Sequence, residues 1–228
     1  MPSRLRSLLA VATSALFAAT PLLAFDTPLS EQAIREAYFL GQRGDETMAR
    51  FLARYTKNLP APKYGPHIAA ITFYTPFALA VQSSSQHAWG YSAQQAQLDH
   101  RNVAEIVRVI VLIQFTDTYG AVIAGPTGTR TGSPTGYRLR PYSFWKDFDV
   151  HIFSPAVRAD SENAEPLRPR SAYGEPNLLC GDAGCTLTGA TLYFDFPATT
   201  FESGDATIDI VPPEGDPVTV DFDLSSLR

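Results

Sequence analysis

The sequence predicts an α+β protein, namely a mainly antiparallel, immunoglobulin-like β-sandwich preceded by a short N-terminal helical hairpin. Residues 28–59 carry apolar side chains at the three-and-four spacing of helix faces. After Gly65, the β-branched and aromatic residues typical of strands become frequent, and turn residues interrupt the chain. The last third alternates apolar and polar residues, as half-buried strands do.

The first 24 residues have the composition of a secretory signal peptide. Arg4 and Arg6 form a basic start, an apolar run follows, and the small residue Ala24 precedes a more polar stretch. The apolar run of about a dozen residues is shorter than the roughly 20 needed to span a bilayer. We therefore expect cleavage after Ala24 and export to the periplasm, the cell surface or the medium. The alternative is an uncleaved N-terminal anchor.

Composition and charge narrow the class of partner. Of the 228 residues, 45% are hydrophobic and 11% aromatic, which is typical of globular proteins. The net charge of −5 becomes −7 if Arg4 and Arg6 leave with the signal peptide. An acidic chain does not suit non-specific binding to nucleic acid or to an anionic membrane surface. We expect no nucleic-acid partner and no transmembrane segment in the mature chain.

The helical segment, residues 25–62, divides into two helices joined by a glycine-containing turn. Pro28 suits the first turn of the first helix, with Thr27 as its N-cap. Asp45 is a good N-cap for the second helix. A segment this small does not bury enough surface to fold alone, so we expect it to pack on the β-sandwich predicted for residues 65–228.

The sandwich is expected to contain about seven strands and one short helix. His67–Val81 is predicted to be extended, with a bend or bulge at Pro76. A capping-box pattern predicts the helix over residues 93–101. The β-branched run Val103–Thr116 predicts a central strand covered on both faces.

The C-terminal part is predicted to form an antiparallel hairpin. Apolar and polar residues alternate over residues 207–210 and 218–224, and the proline-rich and glycine-containing residues 212–217 between them favour a turn. Two segments, residues 118–142 and 154–178, lack strong periodicity and are predicted to be long loops.

Cys180 and Cys185 are the two cysteines of the chain. An even count in an exported protein predicts one disulfide, and the glycines between the two residues allow a tight turn. We interpret the pair as a staple on a hairpin tip. A zinc site is the alternative, but two thiolates without a nearby histidine supply half of the usual ligands.

The densest aromatic and basic cluster of the sequence consists of Tyr137, Arg138, Arg140, Tyr142 and Trp145. Arginine and aromatic side chains together are typical of contacts with a partner. We therefore expect a non-catalytic binding or assembly module that binds a protein or a glycan through residues 125–145. The alternative interpretation is that these rings only hold a long loop against the domain.

A second candidate site consists of every second residue from 145 to 153. On a strand these side chains would share one face: Trp145, Asp147, Asp149, His151 and Phe153. Asp147, Asp149 and His151 are the residue types of acid–base catalysis, which makes a secreted hydrolase the alternative function. The same alternation is typical of a solvent-exposed strand face. The chain has no serine-hydrolase elbow, zinc-protease motif or Walker loop.

The predicted outer face of the last strands is acidic because it carries Asp195, Asp209, Asp221 and Asp223. Calcium needs six or more oxygen ligands that wrap around the ion, which carboxylates on a flat sheet do not provide easily. We interpret these residues as protection of the sheet edge and as solubilising charges. We expect neither a metal nor a cofactor.

Two segments, Leu29–Arg43 and Gly90–Ala96, resemble parts of uncharacterised exported bacterial proteins. The resemblance agrees with the predicted signal peptide. It implies no activity, cofactor or site residue.

Overall fold

The computed structural model describes residues 24–87, 90–101, 103–125, 136–154, 165–182 and 184–228, which form four helices and ten strands. The helices are α1 (Glu31–Gln42), α2 (Glu46–Ala53), α3 (Pro76–Gln86) and α4 (Ala93–Arg101). The strands are β1 (Thr56–Asn58), β2 (His67–Tyr74), β3 (Ile106–Gln114), β4 (Val122–Gly125), β5 (Gly136–Leu139), β6 (Asp149–Phe153), β7 (Ser171–Gly181), β8 (Gly184–Pro197), β9 (Asp205–Val211) and β10 (Val218–Asp223). The predicted signal peptide, apart from Ala24, lies outside the described residues.

The described strands form three antiparallel sheets, which confirms the predicted α+β, mainly antiparallel class. The largest sheet has the strand order β1-β2-β3-β8-β7, with β3 at its centre. A three-stranded sheet has the order β10-β9-β6, and β4 pairs with β5 in a separate two-stranded ribbon. The C-terminal hairpin of β9 and β10 is as predicted, with Val220 opposite Ile208.

The main core lies between the five-stranded and the three-stranded sheet. The side chains of Val107, Val109, Val111 and Ile113 on β3 are fully buried on the inner face. They belong to one apolar cluster with buried residues of β9 and β10, and the Phe73 and Phe222 rings are 5.7 Å apart across it. The outer face of β3 is only partly buried, so the prediction of a strand covered on both faces was wrong.

The helices form a second layer with its own apolar cluster. Residues of α1, α3 and α4 share this cluster, which consists of Leu29, Ala33, Ile34, Ala37, Phe77, Val81 and Ala96. Phe51 and Leu52 of α2 contact both this cluster and the core of the sheets. The helical layer and the sheets therefore share apolar contacts through α2, and the two helices that follow β2 in the chain belong to the helical layer.

The capping residues of the first two helices differ in how well the sequence predicts them. Asp45 caps α2 as predicted, since its carboxylate accepts hydrogen bonds from the backbone N–H groups of Thr47 and Met48. The N-cap of α1 is Ser30, whose hydroxyl accepts from Ala33, so the prediction of Thr27 was wrong. The short helix over residues 93–101 is confirmed as α4.

Three further predictions are corrected by the structure. The extended stretch predicted up to Val81 ends at Tyr74, because Thr75 caps α3 and Pro76 occupies its first turn. The predicted loop over residues 118–142 contains β4 and β5, and the one over residues 154–178 contains most of β7.

The disulfide between Cys180 and Cys185 is present and joins β7 to β8 beside their turn. It lies at a hairpin tip, as the sequence predicts. No helix among the described residues is long and apolar enough to cross a membrane.

Candidate functional site

The ribbon of β4 and β5 exposes an apolar face that no described element covers. Val122 lies directly opposite Leu139, and Tyr137 lies two residues before Leu139 on the same side of its strand. The exposed fractions are 54% for Val122, 78% for Tyr137 and 78% for Leu139. We call these three side chains the ribbon face. Tyr142, three residues beyond β5, is also 60% exposed.

The base of the ribbon is held to the body of the protein by Arg140. Its backbone N–H donates to the carbonyl of Ala121, and its Nε donates to the carbonyl of Gly120 at 2.9 Å. The guanidinium carbon lies 3.6 Å from the centre of the buried Tyr119 ring, which is a close cation–π contact. Burial raises the pKa of Tyr119 to about 12. Arg140 therefore anchors the ribbon and is not part of its exposed face.

Trp145 also has a structural position. It lies in a 3₁₀ helix, Phe144–Asp147, and it is half-buried against the core. A Cβ atom added to Gly174 of β7 would lie 2.5 Å from the Trp145 indole, so the ring packs directly on the backbone of that strand. Of the five cluster residues predicted from the sequence, Tyr137, Arg138 and Tyr142 are exposed, whereas Arg140 and Trp145 are more buried.

The second candidate site does not have the predicted geometry. Trp145 and Asp147 belong to the 3₁₀ helix, and β6 begins only at Asp149, so the five residues from Trp145 to Phe153 do not share a strand face. The side chains of Asp147, Asp149 and His151 are all exposed. Within the described ranges, no three His, Cys, Asp or Glu side chains lie close enough to hold a metal ion. These positions do not favour the hydrolase interpretation.

The four aspartates predicted on an acidic outer face have different surroundings. Asp195 is nearly buried and forms a bidentate ion pair with Arg108 at 2.6 and 2.8 Å. The Asp195 carboxylate raises the pKa of Arg108. Asp221 accepts a hydrogen bond from the Thr207 hydroxyl, and Asp223 caps the 3₁₀ turn Leu224–Ser226. Asp209, on β9, is partly buried. Asp195 is therefore part of a structural ion pair.

A cleft in the helical layer is a feature that the sequence analysis does not single out. It lies between α3 and α4, has a volume of about 370 Å³, and reaches the first residues of β3. Glu105 is fixed at its inner end, where it accepts hydrogen bonds from Thr27 Oγ1, from the Leu29 backbone and from His100 Nε2 at 2.6 to 2.7 Å. We call this feature the helical cleft.

The sequence alone does not indicate the ribbon face or the helical cleft. Val122 and Leu139 lie in a segment without strong periodicity, and only their pairing places them on one face. The cleft needs residues from α1, α3, α4 and β3, which are far apart in the chain. The aromatic and basic composition around Tyr137 is the one local signal that points to the ribbon.

Comparison with known proteins does not add a functional assignment. No protein-family model matches the chain, and no curated protein matches it significantly.

Proposed function

We propose that this chain is an exported binding module whose contact surface is the ribbon face, together with Arg138 and Tyr142, and whose partner is a protein. The observation that carries the proposal is the exposure of three large apolar side chains on one side of a two-stranded ribbon. Isolated exposed apolar residues are ordinary, but adjacent ones on one face are typical of interaction sites.

The ribbon itself supports this proposal. A two-stranded ribbon is marginally stable in water unless it packs on other elements. Here the ribbon is anchored at one end by Arg140, and its apolar face is left in solvent. A partner that covers Val122, Tyr137 and Leu139 would remove this surface from water and stabilise the ribbon. Binding and ordering of the ribbon would then be coupled.

The chemistry of the surface favours a protein over a glycan. Sugar rings stack on flat aromatic platforms, whereas Val122 and Leu139 offer branched aliphatic surface. Tyrosine and arginine beside such a surface are residue types enriched at protein–protein interfaces. The partner should present an apolar groove or patch with an acidic residue near its rim to pair with Arg138.

Two features support export. The first 24 residues have the three parts of a signal peptide, and the described chain contains a disulfide, which persists mainly in oxidising compartments. The side chain of Phe25, the first residue after the expected cleavage point, is buried in the core. Mass spectrometry of the purified extracellular or periplasmic protein should give a mature chain that begins at Phe25. A full-length chain retained in the cytoplasm would contradict export.

A photo-crosslinking experiment tests the contact surface. A benzophenone amino acid replaces Tyr137 in one variant and Tyr64, which is 58% exposed on another part of the surface, in the control. The proposal predicts a discrete adduct with one protein from position 137 after irradiation of the native host, and none from position 64. Adducts of equal yield from both positions, or none from position 137, would contradict it. Binding to a glycan array that depends on Tyr137 would show a glycan-binding module instead.

A further inference from the structure

The helical cleft has the size and lining of a site for a small molecule. Its volume of about 370 Å³ lies within the range of roughly 300–1,000 Å³ usual for ligand pockets. About half of its lining residues are aliphatic, namely Ile34, Pro76, Leu79, Ala80, Ala96, Val103, Ala104 and Ile106, and the others are polar or aromatic. The aliphatic residues would cover one part of a small apolar body.

Two charged residues that line the cleft, Glu105 and Arg108, are already paired with other groups of the protein. Glu105 accepts hydrogen bonds from Thr27, Leu29 and His100, and it thereby links α4 to the segment before α1. Arg108 donates two hydrogen bonds to Asp195. The positive charge of Arg108 is thus neutralised by a neighbouring carboxylate, and it offers little attraction for an anionic ligand.

The rim of the cleft has a different electrostatic character because of Asp99. This exposed carboxylate accepts a hydrogen bond from Gln95 Nε2 at 2.6 Å, and the Tyr91 hydroxyl also interacts with it. Both donors are neutral, and no Lys, Arg or His in the described part of the chain forms an ion pair with Asp99. Burial, and then the interaction with Asp99, raise the pKa of Tyr91 to about 12, so its hydroxyl remains a neutral donor.

Tyr91 adds an aromatic ring beside this carboxylate. Its ring stacks on the His87 imidazole with the ring centres 4.0 Å apart, and both Tyr91 and Asp99 line the cleft. A carboxylate beside an aromatic ring is an arrangement that binds organic ammonium groups, through charge and through cation–π attraction. Asp99 and Tyr91 at the rim and the aliphatic lining residues are therefore complementary to the two ends of one molecule.

We propose that the helical cleft binds a small organic cation with an apolar body, with its ammonium group at Asp99 and Tyr91 and its apolar part directed toward Ile106. This site is separate from the ribbon face, since none of its lining residues belongs to β4 or β5. The proposal therefore does not depend on the binding-module function.

A matched pair of probes tests the charge preference. Benzyltrimethylammonium and phenylmethanesulfonate have similar size and shape but opposite charge, and binding of each is measured by calorimetry and by chemical-shift changes. The proposal predicts saturable binding of the cation with the largest shifts at cleft residues, and at least about tenfold weaker binding of the anion. Absence of saturable cation binding, or binding of the anion as tightly as the cation, would overturn it.

Substitutions locate the site. Ala80→Phe fills the cleft from α3, and Ser83→Phe fills it from an exposed position where folding is not at risk. Each should weaken cation binding at least about tenfold, whereas Ala53→Phe, on the exposed side of α2, should not change it.

Asp99→Asn should weaken cation binding about fivefold. Asp117→Asn, which removes an exposed carboxylate after β3, should leave cation binding unchanged. Cation binding that survives both Phe substitutions in the cleft would overturn the proposal.

Discussion

Two buried tyrosines differ in the hydrogen bonds of their hydroxyl groups. Tyr55 donates to the carbonyl of Arg228 at 2.9 Å and accepts from the Arg228 backbone N–H at 3.2 Å. The buried Tyr119 hydroxyl has no hydrogen-bond partner among the described residues. A buried polar group without a partner is unfavourable, whereas a satisfied one contributes modestly to stability. The two hydroxyls therefore have opposite effects on the folded state.

Removing each hydroxyl tests this difference. Tyr119→Phe should leave the free energy of unfolding unchanged or raise it by up to about 1 kcal/mol, because it removes an unsatisfied group. Tyr55→Phe should lower it by about 1–2 kcal/mol, because the terminal Arg228 loses both hydrogen bonds. Urea unfolding of the two variants checks the prediction. Equal losses of stability would show that the Tyr119 hydroxyl has a partner in solution.

The composition around residues 137–145 singles out a cluster in which Tyr137, Arg138 and Tyr142 are exposed. It does not separate the exposed residues from the anchoring ones. Arg140 is held by Tyr119 and Gly120, and Trp145 is held by the bare backbone of Gly174. These contacts come from elements distant in the chain, so the burial of an aromatic or arginine side chain does not follow from local sequence.

Among the elements, the helix caps and the final hairpin are the most predictable because their signals are local. Asp45 and the capping box before α4 act within one turn, and the alternation in β9 and β10 reflects a single buried face. The sequence predicts an extended stretch in place of α3, because the apolar residues of α3 directly follow those of β2 in the chain. Thr75 and Pro76 were the available signal, since a capping threonine followed by proline is typical of a helix start.

The pairing of β3 with β8 depends on a close approach that only glycine permits. A Cβ atom at Gly189 would lie 2.0 Å from the carbonyl oxygen of Ile113 on the neighbouring strand, which is backbone and cannot move aside easily. Gly181, in the same hairpin, has no atom within 4 Å of the corresponding position. An added methyl group would therefore clash with the neighbouring strand at Gly189 but not at Gly181.

Gly189→Ala should lower the free energy of unfolding by about 3 kcal/mol, because the strands must separate locally to accommodate the methyl group. Gly181→Ala should change it by less than about 0.5 kcal/mol. Thermal and urea unfolding of both variants provide the measurement. A loss for Gly181→Ala as large as that for Gly189→Ala would mean that glycine flexibility, and not the close approach, determines the effect.

For the whole molecule, the α+β class and the first two helices follow from periodicity, whereas the layer arrangement does not. The helical layer combines α1 with α3 and α4, and Glu105 joins it to the start of β3. This arrangement creates the helical cleft at one end of β3. The ribbon comes after the last residue of β3, whereas the helical cleft includes its first residues. The two proposed binding regions are therefore connected to opposite ends of this central strand.

The affinity for the partner identified by crosslinking tests most directly whether the ribbon face binds a protein. Leu139 is 78% exposed and Phe39, on α1, is 59% exposed, so Leu139→Ser and Phe39→Ser each remove one exposed apolar side chain. We predict that Leu139→Ser raises the dissociation constant at least about tenfold and leaves the melting temperature unchanged, while Phe39→Ser alters neither. An unchanged dissociation constant for Leu139→Ser would contradict the claim.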